Sequence, residues 1–163
     1  MMSIELKVFR NLWGAESQFS SDINILFAEL HRLGFNGIEA SLNEIHRLSN
    51  NNDEIFMECM RTNQLELIGI CYTNWTDFIP NSWENLTVEQ HLENLKRELE
   101  QMVRYQPIHI NIHSGQDTWT IDEHERFFQQ ALILQANYPN VSSSHEVCQL
   151  KMQYEFRFLF FFI

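Results

Sequence analysis

Basic residues are scarce in this 163-residue chain: 11 Lys and Arg stand against 22 Asp and Glu, for a net charge of −11. No stretch is basic, which excludes a nucleic-acid footprint, because displacing phosphate counterions takes clustered Lys and Arg. The three cysteines, Cys59, Cys71 and Cys148, are odd in number, far apart and without a C-x-x-C. Such a set makes neither a disulfide framework nor a zinc knuckle and fits a reducing compartment. Only 5 glycines occur, and the first turn, Leu12-Trp-Gly-Ala-Glu16, lacks the G-x-G-x-x-G spacing that cradles a dinucleotide. The apolar run Phe158-Leu-Phe-Phe-Phe-Ile163 is far short of the ~20 residues that cross a bilayer. Charges interrupt the first 30 residues, so no signal peptide is read, no membrane partner is expected, and a cytoplasmic location is the expectation. On that footing Asn74-Trp-Thr, Asn85-Leu-Thr and Asn140-Val-Ser are chance matches to the glycosylation acceptor pattern.

What is present alternates between two patterns. Residues 4–9, 37–41, 65–72 and 108–113 are short, rich in β-branched and aromatic residues and bounded by turn residues, which predicts strands; a fifth is expected from Val141. Between them run helical periods. Ile23, Leu26, Phe27 and Leu30 follow the i, i+3, i+4, i+7 rule up to Gly34, and a weaker helix over 53–63 carries Ile55, Phe56, Cys59 and Met60. Val88, Leu92, Leu95, Leu99, Met102 and Val103 form the strongest apolar face, opened by the capping box Thr87-Val-Glu-Gln90. Thr120-Ile-Asp-Glu123 repeats that device before Phe128, Ala131 and Leu132.

Strict alternation of strand and helix implies parallel strands with helical crossovers. The strand starts lie 28 to 43 residues apart, close to one unit of an eight-unit barrel of roughly 250 residues. The predicted fold is therefore α/β: a partial (β/α)8 TIM barrel of about five βα units with parallel strands. A doubly wound sheet is the alternative, weakened by the missing glycine fingerprint.

In either architecture, chemistry sits at the C-terminal ends of the strands. That rule selects Asn11, Trp13 and Gly14 after the first strand, Glu39 and Ser41 late on the second, and Tyr72, Asn74 and Trp75 after the third. The fourth contributes His113, Ser114, Gly115 and Asp117, and the fifth His145 and Glu146. In Ile108-His-Ile-Asn-Ile-His113 the isoleucines alternate with His109, Asn111 and His113, so one face is apolar and the other polar. Four residues along a strand separate His109 from His113 by ~13 Å, too far to share an ion. His145-Glu146 lacks the second histidine of H-E-x-x-H because position 149 is Gln. Glu146 instead offers a hard oxygen suited to Mg²⁺ or Mn²⁺. Trp13 and Trp75 are candidates for an apolar wall against the flat face of a sugar.

Val8-Phe-Arg-Asn-Leu-Trp-Gly14, Leu33-Gly-Phe-Asn-Gly-Ile-Glu39, Ile110-Asn-Ile-His-Ser-Gly-Gln-Asp-Thr-Trp119 and Ser144-His-Glu146 occur in this order at β/α spacing. Together they resemble the sugar phosphate isomerase/epimerase family with the xylose-isomerase-like TIM barrel, over residues 4 to 146. The resemblance implies a divalent metal (Mn, Mg or similar) at the barrel mouth, held by ligands from strands five to eight, with Glu146 matching the strand-five ligand and taking part in proton transfer α to a carbonyl. It places His113, Glu39 and Trp13 around the substrate, a sugar or sugar phosphate. A branch of metal-dependent endonucleases acting on abasic DNA shares the strand-four pattern. The charge of −11 and the absence of a His in Tyr72-Thr-Asn-Trp75 argue against that branch.

Two departures shape the expectation. The chain reads His145-Glu-Val-Cys-Gln149 where relatives often continue H-E-T-H-R, and residues 147–163 turn abruptly Phe-rich, with five of the 13 Phe in the last eight positions. Residues 1–146 are expected to be the N-terminal part of such a barrel, and 147–163 a non-homologous apolar tail of the readthrough or frame-shifted kind. On this reading the ligand set is incomplete and the chain is inactive alone. The competing expectation is a non-catalytic fragment that binds a partner, or itself, through open sheet edges.

Overall fold

The structure, a computed structural model, describes residues 6–74, 86–116 and 118–146. Trp75, Asp117 and the Phe-rich end lie outside them. The chain is α/β, with five parallel strands in one sheet in the order β1-β2-β3-β4-β5. Each strand neighbours the next in sequence, with no reversal point, which removes the doubly wound alternative. Two compact units divide the chain between Gly69 and Ile70, inside the third strand.

The first unit contains β1 (Phe9–Asn11), α1 (Ala15–Gln18), α2 (Ile23–Arg32), β2 (Gly37–Ser41), α3 (Leu42–Leu48), α4 (Asp53–Thr62) and the start of β3 (Glu66–Tyr72). β1 and β2 pair in parallel, Phe9 with Gly37 and Asn11 with Glu39. The strand predicted over 4–9 thus lies further along the chain. Leu6 and Val8 are exposed, and Val8 bonds the turn residue Asn36 through both its N–H and its carbonyl. Gly37 has no Cβ for a reason: one there would collide with the Phe9 ring and the Glu66 carbonyl. The helix α3, which the apolar pattern did not suggest, begins directly at the end of β2. Ser41 closes the strand and caps the helix in a reciprocal box with Glu44, burying Leu42, Ile45 and Leu48. Leu26, Phe27 and Leu30 of α2 join Ile38, Ile45 and Phe56 in a fully buried core, with the Phe27 and Phe56 rings edge to face at 5.7 Å. Ile55, predicted on the buried face of α4, is exposed.

The second unit holds the end of β3, α5 (Val88–Met102) with a 3₁₀ turn at Val103–Tyr105, β4 (His109–His113), α6 (Ile121–Gln135) and β5 (Ser142–Glu146). Both predicted capping boxes form, Thr87 with Gln90 and Thr120 with Glu123. Leu95, Leu99 and Met102 of α5 and Ile110 and Ile112 of β4 are buried together with Phe127 and Ala131 of α6. On α6 the buried face runs through Phe127, so Leu132 is partly exposed. β4 and β5 are parallel in the register His109↔Ser142, Asn111↔Ser144 and His113↔Glu146, which puts these six residues on one face and Ile110, Ile112, Ser143 and His145 on the other. No helix among the described residues is long and apolar enough to cross a membrane.

Candidate functional site

The register of β4 and β5 builds the central feature. His113 and Glu146 are the last residues of adjacent parallel strands and face each other, with His113 Nε2 3.1 Å from Glu146 Oε2. Asn111, two residues back on the same face, donates its Nδ2 hydrogen to the same carboxylate oxygen at 3.1 Å. The Tyr72 ring, at the end of β3, stands against the His113 imidazole with centroids 4.8 Å apart. Side-chain exposure is 20% for His113 and 44% for Glu146, so the imidazole is the more enclosed partner and the carboxylate is reachable.

Behind this pair the strand ends are locked by residues that carry no pattern of their own. Thr73 is fully buried; its N–H and hydroxyl both donate to the His113 carbonyl at 3.1 Å, and its Oγ1 accepts from Gly115 N–H at 3.2 Å. His91 Nδ1 lies 2.8 Å from the same hydroxyl, on the inner face of α5, with its ring against Trp119 at 4.5 Å. On the opposite side of the sheet, Gln135 Nε2 donates to His145 Nε2 at 3.0 Å, so His145 Nδ1 carries the hydrogen and meets Ser114 Oγ at 2.5 Å. Burial pushes the His145 imidazolium pKa down to about 4, keeping the ring neutral. His145 is thus a bracket between β4, β5 and α6, and Glu146 is the residue of this dipeptide on the polar face. The strand-end rule does not select Thr73, His91, Asn111 or Gln135 as site residues. His91 was discoverable, since it falls on the apolar stripe of α5 one turn from Val88 and Leu95.

In the first unit, Asn11 Nδ2 donates to Glu39 Oε2 at 2.8 Å across the β1–β2 register, and Asn11 Oδ1 accepts from the Trp13 N–H at 2.8 Å. Glu39, the middle residue of β2, is therefore tied to the last residue of β1, and Trp13 is 80% exposed rather than part of the core. Trp75, its expected companion, lies outside the described residues. His109 is engaged at both ring nitrogens, by Ser142 Oγ at 2.6 Å and Ser144 Oγ at 2.8 Å.

A divalent cation can be tested against the donors at hand. Two ligands each about 2.1 Å from an ion and at right angles lie about 3 Å apart, the separation seen between His113 Nε2 and Glu146 Oε2. An imidazole nitrogen and a carboxylate oxygen suit a borderline or hard divalent ion. The pair fits as two ligands. Among the described residues no group of three or more His, Cys, Asp or Glu is placed to hold an ion, so further ligands would have to come from elsewhere.

Sequential parallel strands in one sheet, with polar residues gathered at their C-terminal ends, are the arrangement of a part of a TIM barrel. A similar solved structure is that of the probable 3-DHS dehydratase AsbF, involved in petrobactin synthesis, from Bacillus anthracis. It aligns with 86% of this chain and 62% of its own length, at 15% identity and a TM-score of 0.52. At that identity the likeness is one of fold, and the chain spans less than two thirds of the length of that structure. No family model matches the chain, and no curated protein does.

Proposed function

We propose that this chain carries part of the active site of a metal-dependent sugar or sugar-phosphate isomerase or epimerase, an enzyme moving a proton α to a carbonyl. The observation that carries the reading is the His113–Glu146 pair at the ends of adjacent parallel strands, where a TIM barrel does its chemistry. Glu146 and His113 would be two ligands of a divalent cation, which when bound polarises the carbonyl and hydroxyl oxygens of the sugar. Glu146 takes the proton from the carbon beside the carbonyl and returns it. Asn111 holds the carboxylate toward His113, and Tyr72 backs the imidazole.

Mn²⁺ titration of the chain tests this. The parent binds with a Kd of the order of 1 mM, about −4 kcal/mol, as two ligands without the rest of the shell do, and Glu146→Gln weakens binding at least tenfold. With a ketose or ketose phosphate in D₂O, deuterium enters the carbon beside the carbonyl only when Glu146 is intact and the remaining ligands are supplied. Equal Mn²⁺ affinity in parent and Glu146→Gln overturns the ligand assignment.

A further inference from the structure

The polar face of β4 and β5 holds more than the His113–Glu146 pair. Ser142, His109, Ser144, Asn111 and Glu146 follow one another in unbroken hydrogen-bond contact, zigzagging between the two strands from one end to the other. The direction of donation can be worked out from the carboxylate backwards. Asn111 Nδ2 donates to Glu146 Oε2 at 3.1 Å, which leaves its carbonyl oxygen turned to Ser144. That oxygen can only accept, and Ser144 Oγ donates to it at 3.5 Å. The one hydroxyl hydrogen of Ser144 is thereby committed. In that arrangement Ser144 Oγ, 2.8 Å from His109 Nε2, accepts and Nε2 carries the ring hydrogen; the reverse arrangement, with Ser142 donating to the Ile108 carbonyl at 3.4 Å and the ring hydrogen on Nδ1, would take from the Asn111 oxygen its Ser144 donor. In the neutral imidazole Nδ1 then accepts from the Ser142 hydroxyl at 2.6 Å.

We infer that His109, Ser144 and Asn111 are positioning residues: a one-way hydrogen-bond ladder in which every donor points toward Glu146, polarising the Asn111 amide and fixing the carboxylate opposite His113. The inference rests on the proposed role of Glu146 as a ligand. Donors aligned head to tail reinforce one another, and partners behind a metal ligand set its orientation and affinity. The register accounts for the ladder's existence. Residues 109, 111 and 113 share a face with 142, 144 and 146, so polar side chains at alternate positions on both strands meet rung by rung. It also explains two imidazoles on one strand face: His109 belongs to the support and His113 to the site.

The experiment uses the whole chain, with ¹⁵N–¹H NMR of the imidazoles and Mn²⁺ titration followed by EPR of the free ion. In the parent, His109 shows a hydrogen on Nε2 that is protected from exchange. Ser144→Ala is expected to lose that protection and to weaken Mn²⁺ binding about tenfold, the lower end of what losing an outer partner does. Ser144→Thr, which keeps the hydroxyl and suits a strand, restores both and separates the effect from misfolding. The ladder is overturned if His109 carries its hydrogen on Nδ1 alone, or if Ser144→Ala leaves both the protected hydrogen and the affinity unchanged. A parent that does not bind Mn²⁺, or Glu146→Gln binding as tightly as the parent, overturns the ligand reading instead. The NMR result then still decides the ladder.

Discussion

Glu98 gives the sharpest test of the energetics of this fold. It sits on α5 one turn from both Leu95 and Met102, on the face that enters the core, and is only 7% exposed. Burial raises its carboxyl pKa from the ordinary 4.5 to about 7, against a smaller opposing pull from Arg97. The same carboxylate contributes to raising the buried Cys71 thiol, whose own burial is the larger cause. Each pKa unit is worth about 1.4 kcal/mol, so ionising Glu98 in the folded chain costs about 3 kcal/mol relative to the unfolded chain. The sign follows from proton counting. Below pH 4.5 the group is protonated in both states and nothing is lost. Between 4.5 and 7 the unfolded chain releases the proton while the folded chain keeps it, so stability falls as pH rises. Above 7 the whole penalty is in force. Glu98→Gln has nearly the same shape and no charge to bury. Urea unfolding of parent and variant at pH 4 and pH 8 is therefore expected to show no gain at pH 4 and a gain of about 3 kcal/mol at pH 8 for the glutamine form. A difference that is constant with pH, or largest at pH 4, refutes the argument.

Other outcomes follow from particular contacts. Thr73→Val removes a buried hydroxyl that three groups use, and chemical denaturation should show a loss of about 2 kcal/mol or more. Gly37→Ala must displace both the Phe9 ring and the Glu66 carbonyl, and the thermal midpoint should fall by the equivalent of about 1–3 kcal/mol.

The alternation Ile108-His-Ile-Asn-Ile-His113 was legible because a strand has a period of two and nothing competes with it there. The two capping boxes on long amphipathic helices were equally plain. Ile4-Glu-Leu-Lys-Val-Phe9 has strand composition, yet β1 is Phe9–Asn11, because strand limits depend on where the neighbouring strand offers its hydrogen bonds. That partner begins at Gly37, opposite Phe9. α3 was hidden because Ser41 ends one element and starts the next with no turn residues between, although Ser41-x-x-Glu44 spells a capping box. Glu146 and His113 were readable as strand-end residues. Their mutual register was not, since it depends on how β5 slides along β4. Thr73 was invisible in principle: a single threonine has no periodicity, and its value comes from three partners that only the folded chain brings to it.

The strand order has a consequence for how the sheet is made. Paired positions such as Phe9 and Gly37, or His109 and Ser142, are 28 and 33 residues apart in the chain, so each new strand closes a loop of similar length. Loop-closure entropy changes by only about 0.6 kcal/mol per doubling of length. Every addition therefore meets much the same entropic barrier, with none demanding a distant partner. A ribosome delivering this chain presents each strand when its neighbour already exists, and the growing edge is always the newest one. Assembly can proceed by accretion, and the His113–Glu146 pair closes last among the described strands, when β5 settles on β4.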